Sequence, residues 1–166
     1  MKMALVDGQT PLMCAVKGGH VDTVKVLLER GVTVNAKTTS GFTALTDATR
    51  MGNVDAVKIL LAHGADPGHG YIPGSFLTLN GRAIAVKAKK NKISDVLRRL
   101  AKTASQDGYI INVDPKMERK ITLMTKGSWN KVVSGLAKKN DLLLVVKDKE
   151  VFVLPYDPAA IKHEAI

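Results

Sequence analysis

DGQTPLMCAVKGGHVDTVKVLLERG, residues 7–31, is followed by a second version of itself, SGFTALTDATRMGNVDAVKILLAHG, residues 40–64. At an offset of 33 residues, Gly8, Thr10, Leu12, Ala15, Gly19, Val21, Asp22, Val24, Lys25, Leu27, Leu28 and Gly31 recur as Gly41, Thr43, Leu45, Ala48, Gly52, Val54, Asp55, Val57, Lys58, Leu60, Leu61 and Gly64. Such a period, built from a turn, two short helices and a glycine loop, marks stacked units that bury their apolar faces only against neighbours. The first half of the chain therefore reads as a binding scaffold.

Each residue of the pattern has a physical task. Thr10 caps the free amides of the first helix, and Pro11 fits its first turn, where a missing N–H goes unnoticed. Gly19 and Gly52 let the chain reverse between paired helices, and Gly31 and Gly64 end the second helix of each pair. Val24, Leu27 and Leu28, with Val57, Leu60 and Leu61, lie at helical spacing for burial. The run Asp7-Gly8-Gln9-Thr10-Pro11-Leu12, Ala15, Gly19-His20-Val21-Asp22 and Val24 to Gly31 resembles the ankyrin repeat, over roughly residues 5–67. Two copies are fewer than such an array needs, and the repeat begins almost at the first residue, so the expectation is a fragment of a longer protein or a matured product.

With 166 residues and 45% apolar content, the chain exceeds what two repeats require, and a second domain is expected. Charge divides in the same way. Residues 1–81 hold 7 Lys/Arg and 6 Asp/Glu, whereas residues 82–149 hold 17 and 6, so the net charge of +10 belongs to the second half. Between them, His69-Gly70-Tyr71-Ile72-Pro73-Gly74 is rich in turn formers. The expected organisation is repeats at 1–70, a linker at 71–80, an α/β domain at 81–156 and a tail at 157–166.

Within that second domain, Ile84, Val86 and Ala88 alternate with Ala85, Lys87 and Lys89, as in a strand with one wet face. Ile93, Val96, Leu97, Leu100, Ala101 and Ala104 follow at helical spacing. Tyr109 to Val113 reads as a buried strand ending at Asp114-Pro115, and Lys120 to Lys126 alternates again. Trp129, Val132, Val133 and Leu136 make a second amphipathic helix, with Ser128 placed to cap it. Leu142 to Val146 and Val151 to Leu154 then pair as a hairpin across Lys147-Asp148-Lys149-Glu150. The predicted class is α+β: helix-pair repeats, then a small two-layer β-α-β-β-α-β-β domain.

Ile93 to Ala101, Tyr109 to Pro115, Ile121-Thr122-Leu123 and Trp129 to Leu136, in that order, resemble the secretin and TonB short N-terminal domain. That resemblance implies a periplasmic module on a secretin-type or outer-membrane assembly, one that makes protein contacts and performs no catalysis. A competing alignment threads Gly81 to Ala104 as a degenerate third ankyrin repeat that caps the other two. It leaves Lys92 at the helix-turn glycine and Ser94 at the following apolar position.

Chemistry-bearing motifs are sparse. The lone cysteine, Cys14, excludes an internal disulfide and reads as a small, semi-buried helix residue. His20, His63, His69 and His163 show no ligand spacing. Cys-x-x-Cys, His-Glu-x-x-His, Gly-x-x-x-x-Gly-Lys and Gly-x-Ser-x-Gly are all absent. No catalytic residue, metal or cofactor is expected, and the chain does not read as an enzyme.

Binding is the better prospect. Turn tips and inner helices of the repeats nominate Gln9, Met13, Lys17, Thr38, Thr39, Phe42, Asp47, Arg50 and Met51 for a protein partner. Phe42 stands out, either as an interface anchor or as a residue packed on a neighbouring repeat or the linker. Lys87, Lys89, Lys90, Lys92, Arg98, Arg99 and Lys102 form a basic set, either for polyanions such as envelope polymers, lipid headgroups or nucleic acid, or simply for solvation. A Gly-x-x-Gly clamp and a stacking platform are both missing from residues 82–154, which disfavours nucleic acid. Val151, Phe152, Val153 and Leu154 are expected to offer an open strand edge for pairing.

No apolar run reaches the length of a membrane span, and residues 1–10 carry no secretory signal. The resemblance implies the periplasm, with a signal peptide removed from this chain. Ankyrin repeats alone allow the cytoplasm.

Overall fold

A computed structural model describes residues 6–68, 79, 81–114 and 117–162. The chain divides into two compact units: Met1–Tyr71 together with Asp157–Ile166, and Ile72–Tyr156. Apart from Leu79, the expected linker 71–80 lies outside the described residues. The tail joins the repeats instead of standing apart.

Among the described residues, the first unit contains two helix pairs, α1 (Pro11–Lys17) with α2 (Val21–Glu29) and α3 (Ala44–Arg50) with α4 (Val54–Ala62). The expected caps form. Thr10 Oγ1 accepts the Met13 amide at 3.3 Å, and Thr43 Oγ1 accepts the Thr46 amide at 3.2 Å. Gly19 and Gly52 adopt φ of +71° and +66° at the turns between paired helices, where a Cβ would strain the backbone. Leu12, Val16, Val24, Leu28, Leu45, Ala48, Val57 and Leu60 fill the core. Each large side chain there contributes about 1.5–3 kcal/mol by leaving water.

Beyond the second pair, the tail returns to the repeats. Lys162 N donates to Gly64 O at 2.9 Å, and Asn35 Nδ2 donates to Lys162 O at 2.8 Å and to Gly64 O at 3.0 Å. A Cβ on Gly64 would lie 2.7 Å from Ala160 O, so Gly64 meets both a positive φ of +86° and a close approach.

The second unit runs β1 (Ala83–Lys92), α5 (Ile93–Gln106), β2 (Ile110–Val113), β3 (Lys120–Ser128), α6 (Trp129–Lys139), β4 (Leu142–Lys147), β5 (Glu150–Pro155). Among the described residues its strands make two sheets. One is an antiparallel ribbon of β1 and β3; the other has the order β2-β5-β4, with β2 parallel and β4 antiparallel to β5. Both helices pack on strands of both sheets. Val86, Leu97, Leu100, Trp129, Val133, Leu144 and Val153 belong to one continuous core.

Two expectations are corrected here, and the competing ankyrin alignment falls. Residues 81–104 do not form a third helix pair: Ala83–Lys92 is a strand paired with β3, and α5 buries its apolar stripe in the core of the second unit. Period two won over the ankyrin alignment because alternate burial of β1 needs a partner strand, which β3 supplies. Val151 to Leu154 do not offer an edge, because β5 is the central strand, flanked by β2 and β4. Ser128 occupies the N-cap of α6 but makes no capping bond with its side chain.

Candidate interaction surfaces

On the repeats, four of the nominated residues form one connected group. Asp47, on α3, is buried, and its Oδ1 lies 3.2 Å from Arg50 Nη2 one turn later. Its Oδ2 lies 3.6 Å from Nζ of Lys17, the last residue of α1. That oxygen is buried and accepts no hydrogen bond. The Arg50 guanidinium in turn sits 5.8 Å from the centroid of the Phe42 ring, within cation–π range.

Local backbone explains why Phe42 projects. Thr38 Oγ1 accepts the Phe42 amide at 3.1 Å, and Thr38 N donates to Phe42 O at 2.9 Å, closing a tight loop before the cap at Thr43. Gly41 takes the positive φ of +80° that this loop requires. Phe42 is left 41% exposed and Met51, at the C-terminus of α3, 46% exposed. Beside Phe42 opens a shallow cavity of ≈ 400 Å³, lined by Thr43, Thr46 and Thr49 and by Asn35, Asp66 and Gly68.

The other nominees separate. Thr39 is exposed and Thr38 half-buried, both at the turn tip, where Thr39 N donates to Asp7 O at 3.2 Å. Gln9 is half-buried and holds the Cys14 thiol at 3.9 Å; Cys14 is exposed, against the semi-buried expectation. Met13 is corrected: it is fully buried, and its sulfur accepts the Thr10 amide to complete the cap, so it offers nothing to a partner. Asp47 is corrected likewise, from a contact residue to the buried anion that positions Lys17 and Arg50.

On the second unit the basic set is divided. Lys87, Lys89, Lys90 and Lys92 are exposed on β1, opposite the face that buries Val86 and Ala88. The alternation breaks at a bulge between Ala88, paired with Leu123, and Asn91, paired with Ile121. There Lys90 adopts φ of +54°, Lys89 N donates to Asn91 Oδ1 and Lys90 N to Thr122 Oγ1. From β3 come two exposed lysines that sequence reasoning omitted, Lys120 opposite Lys92 and Lys126 opposite Ala85, with Met124 78% exposed between them. Strand register, unreadable before β1 and β3 are paired, is the missing signal. Lys92 is bound to Glu118 at 3.0 Å. Arg98, Arg99 and Lys102 are exposed on α5, with Arg98 held by Asp95 at 2.9 Å.

Among the described residues, no group of three or more His, Cys, Asp or Glu gathers to hold a metal, and no helix is long and apolar enough to cross a membrane. Residues 1–70 match the family model described as ankyrin repeats (3 copies). No curated protein matches the chain.

Proposed function

We propose that this chain, whose first 70 residues are ankyrin repeats, is a non-enzymatic adaptor of the bacterial cell envelope. Ankyrin repeats are a protein–protein interaction module, and the connected group of Lys17, Asp47, Arg50 and Phe42 is the observation that carries the reading. An exposed aromatic held under an arginine, beside a cavity, has the character of an interface anchor. One partner docks on Phe42, Arg50, Met51 and the turn tip at Thr38 and Thr39.

The second unit attaches the repeats to a secretin-type or outer-membrane complex in the periplasm. Support comes from the resemblance of Ile93–Ala101, Tyr109–Pro115 and Trp129–Leu136 to the secretin and TonB short N-terminal domain. The alternation of β1, the stripe of α5 and the hairpin of β4 with β5 agree with that arrangement of elements. Strand pairing with the assembly would use β2 or β4, the outer strands of the three-stranded sheet.

Protease accessibility of the full-length protein in intact cells, spheroplasts and lysates tests the reading. Digestion once the outer membrane is opened supports it; protection until lysis places the protein in the cytoplasm and overturns the envelope assignment. Crosslinking with the triple substitution Phe42→Ala, Arg50→Ala, Met51→Ala tests the repeat face, where the partner should be lost.

A second reading follows from one further observation. Lys87, Lys89 and Lys90 share the exposed face of a two-stranded ribbon with Lys120 and Lys126, a field that attracts nucleic acid or another polyanion. Reversing the charges of Lys87, Lys89 and Lys90 should abolish such binding, which should also weaken steeply with salt.

A further inference from the structure

We infer that the groove between β3 and α6 is a docking site for an acidic peptide, taken up in extended form along the free edge of β3. This site is separate from the repeat face; it borders the exposed face of the ribbon, with which it shares Lys120.

Three observations meet in the groove. The first is backbone. Among the described residues β3 pairs with β1 alone, so every second N–H and C=O along its other side lacks a strand partner. Natural edges are blunted by proline, by bulges, by charged side chains, lysine above all, or by a covering element; on β3 the lysines, Lys120 and Lys126, flank residues 121–125 and leave that stretch without one. Lys120-Ile121-Thr122-Leu123-Met124-Thr125-Lys126 contains no proline, and the ribbon's bulge lies in β1 instead. The edge opens onto a cavity of ≈ 410 Å³.

Chemistry of the walls is the second observation. Ile121 and Leu123 of β3, half-buried, line the groove beside the nearly covered Val132 and Leu136 of α6, so the two β3 residues supply most of the apolar strip for alternate side chains of an added strand. Around it stand Arg119, Lys120, Lys131 and Lys139. Arg119 is bound to Asp141 at 3.2 Å, whereas Lys120, Lys131 and Lys139 make no ion pair among the described residues. No acidic side chain lines the groove. Apolar floor and cationic rim together select a strand that alternates apolar and acidic residues.

The third is Gly135. It lies inside α6, where glycine is disfavoured, yet a Cβ there would meet nothing within 4 Å. Packing within the protein does not require a glycine at this position. What its missing side chain does is widen the groove, of which Gly135 is part of the wall.

The test uses the full chain and a fluorescein-labelled octapeptide of alternating Glu and Val, read by fluorescence anisotropy. Saturable binding is expected, with amide shifts in the NMR spectrum concentrated at 121–125. Methylating alternate backbone nitrogens of the peptide should weaken binding at least tenfold, because strand addition needs those amides. Gly135→Leu should do the same while leaving the melting temperature at or above its original value, and Lys131→Glu with Lys139→Glu should also do so without unfolding the protein. Equal affinity for the methylated peptide would overturn the proposal. So would binding of the same strength to a Lys/Val octapeptide. Capture by phosphatidylglycerol vesicles without any binding of the peptide would show a lipid-headgroup surface instead, and would overturn it too.

Discussion

Trp129 Nε1 donates a hydrogen bond to Asp107 Oδ2 at 2.9 Å, joining the start of α6 to the end of α5. The same carboxylate receives the Arg82 amide at 2.9 Å and Arg82 Nε at 2.8 Å. Three segments of the second unit therefore meet at one anion, and the Trp129 indole that binds it lies with its centroid 5.3 Å from that of the Tyr109 ring.

These donors set an acid-sensitive point. The Arg82 backbone bond foremost, then those from Trp129 and the Arg82 side chain, hold the Asp107 carboxyl below its ordinary value of 3.8, against desolvation. A carboxyl depressed in the folded state contributes its full stability above that ordinary value and loses it as pH falls below. Asp107→Asn should lower the urea midpoint clearly at pH 7 and much less at pH 3. Fluorescence of Trp129, the single tryptophan, reports the transition. An equal difference at both pH values would remove Asp107 from this role.

Gly81 approaches the same indole. A Cβ there would fall 2.6 Å from Trp129 Nε1 and 2.9 Å from Asn130 Oδ1, both on buried side chains that cannot swing aside. Gly81→Ala should cost about 1–3 kcal/mol, the usual penalty of overpacking. Gly135→Ala, by contrast, meets nothing and should add up to about 1 kcal/mol of stability through helix propensity. Urea denaturation of the two variants checks the opposite signs.

Gly31 and Gly64 are equivalent positions of the two repeats, with φ of +74° and +86°. Alanine at either pays about 1–2 kcal/mol for the left-handed backbone. Only Gly64 is overlain by the tail, through Ala160 and Lys162. Gly64→Ala should therefore lower the melting temperature more than Gly31→Ala, and removing residues 157–166 should make the two substitutions equal. A difference that survives truncation would mean the tail does not press on Gly64.

Much of this was legible in the sequence, for local reasons. Thr10, Pro11, Gly19 and Gly31 act within a few residues of themselves, so their spacing announces caps, turns and helix ends. The alternation of Ile84, Val86 and Ala88 is equally local. What escaped depends on pairing between distant segments. Val151 to Leu154 look like a terminal hairpin strand until β2, some 40 residues earlier, lies parallel against them. Asp47 sits at a helix position usually open to partners, and only the approach of Lys17 and Arg50 makes its burial tolerable. Lys120, Lys131 and Gly135 come from a strand and a helix whose side-by-side packing no single-segment pattern encodes.

Lys17 and Phe42 stand at opposite ends of the group around Asp47, and their substitutions should separate fold from function. Phe42 is exposed and closes no core, so Phe42→Ala should change stability by less than about 0.5 kcal/mol. As the anchor of the repeat face, it should nonetheless reduce crosslinking to a partner at least tenfold. Lys17→Met reverses the pattern. It takes away the cation beside Asp47 Oδ2, a buried oxygen with no hydrogen bond, and leaving such a group unsatisfied costs about 1–3 kcal/mol. Lys17 reaches the partner surface only through Asp47, which also orients Arg50 over the Phe42 ring, so crosslinking should fall far less than with Phe42→Ala. Thermal unfolding by circular dichroism and crosslinking yield in cells, measured on both variants, distinguish the two roles; a stability loss from Phe42→Ala as large as that from Lys17→Met would make Phe42 a packing residue and the repeat face a different one.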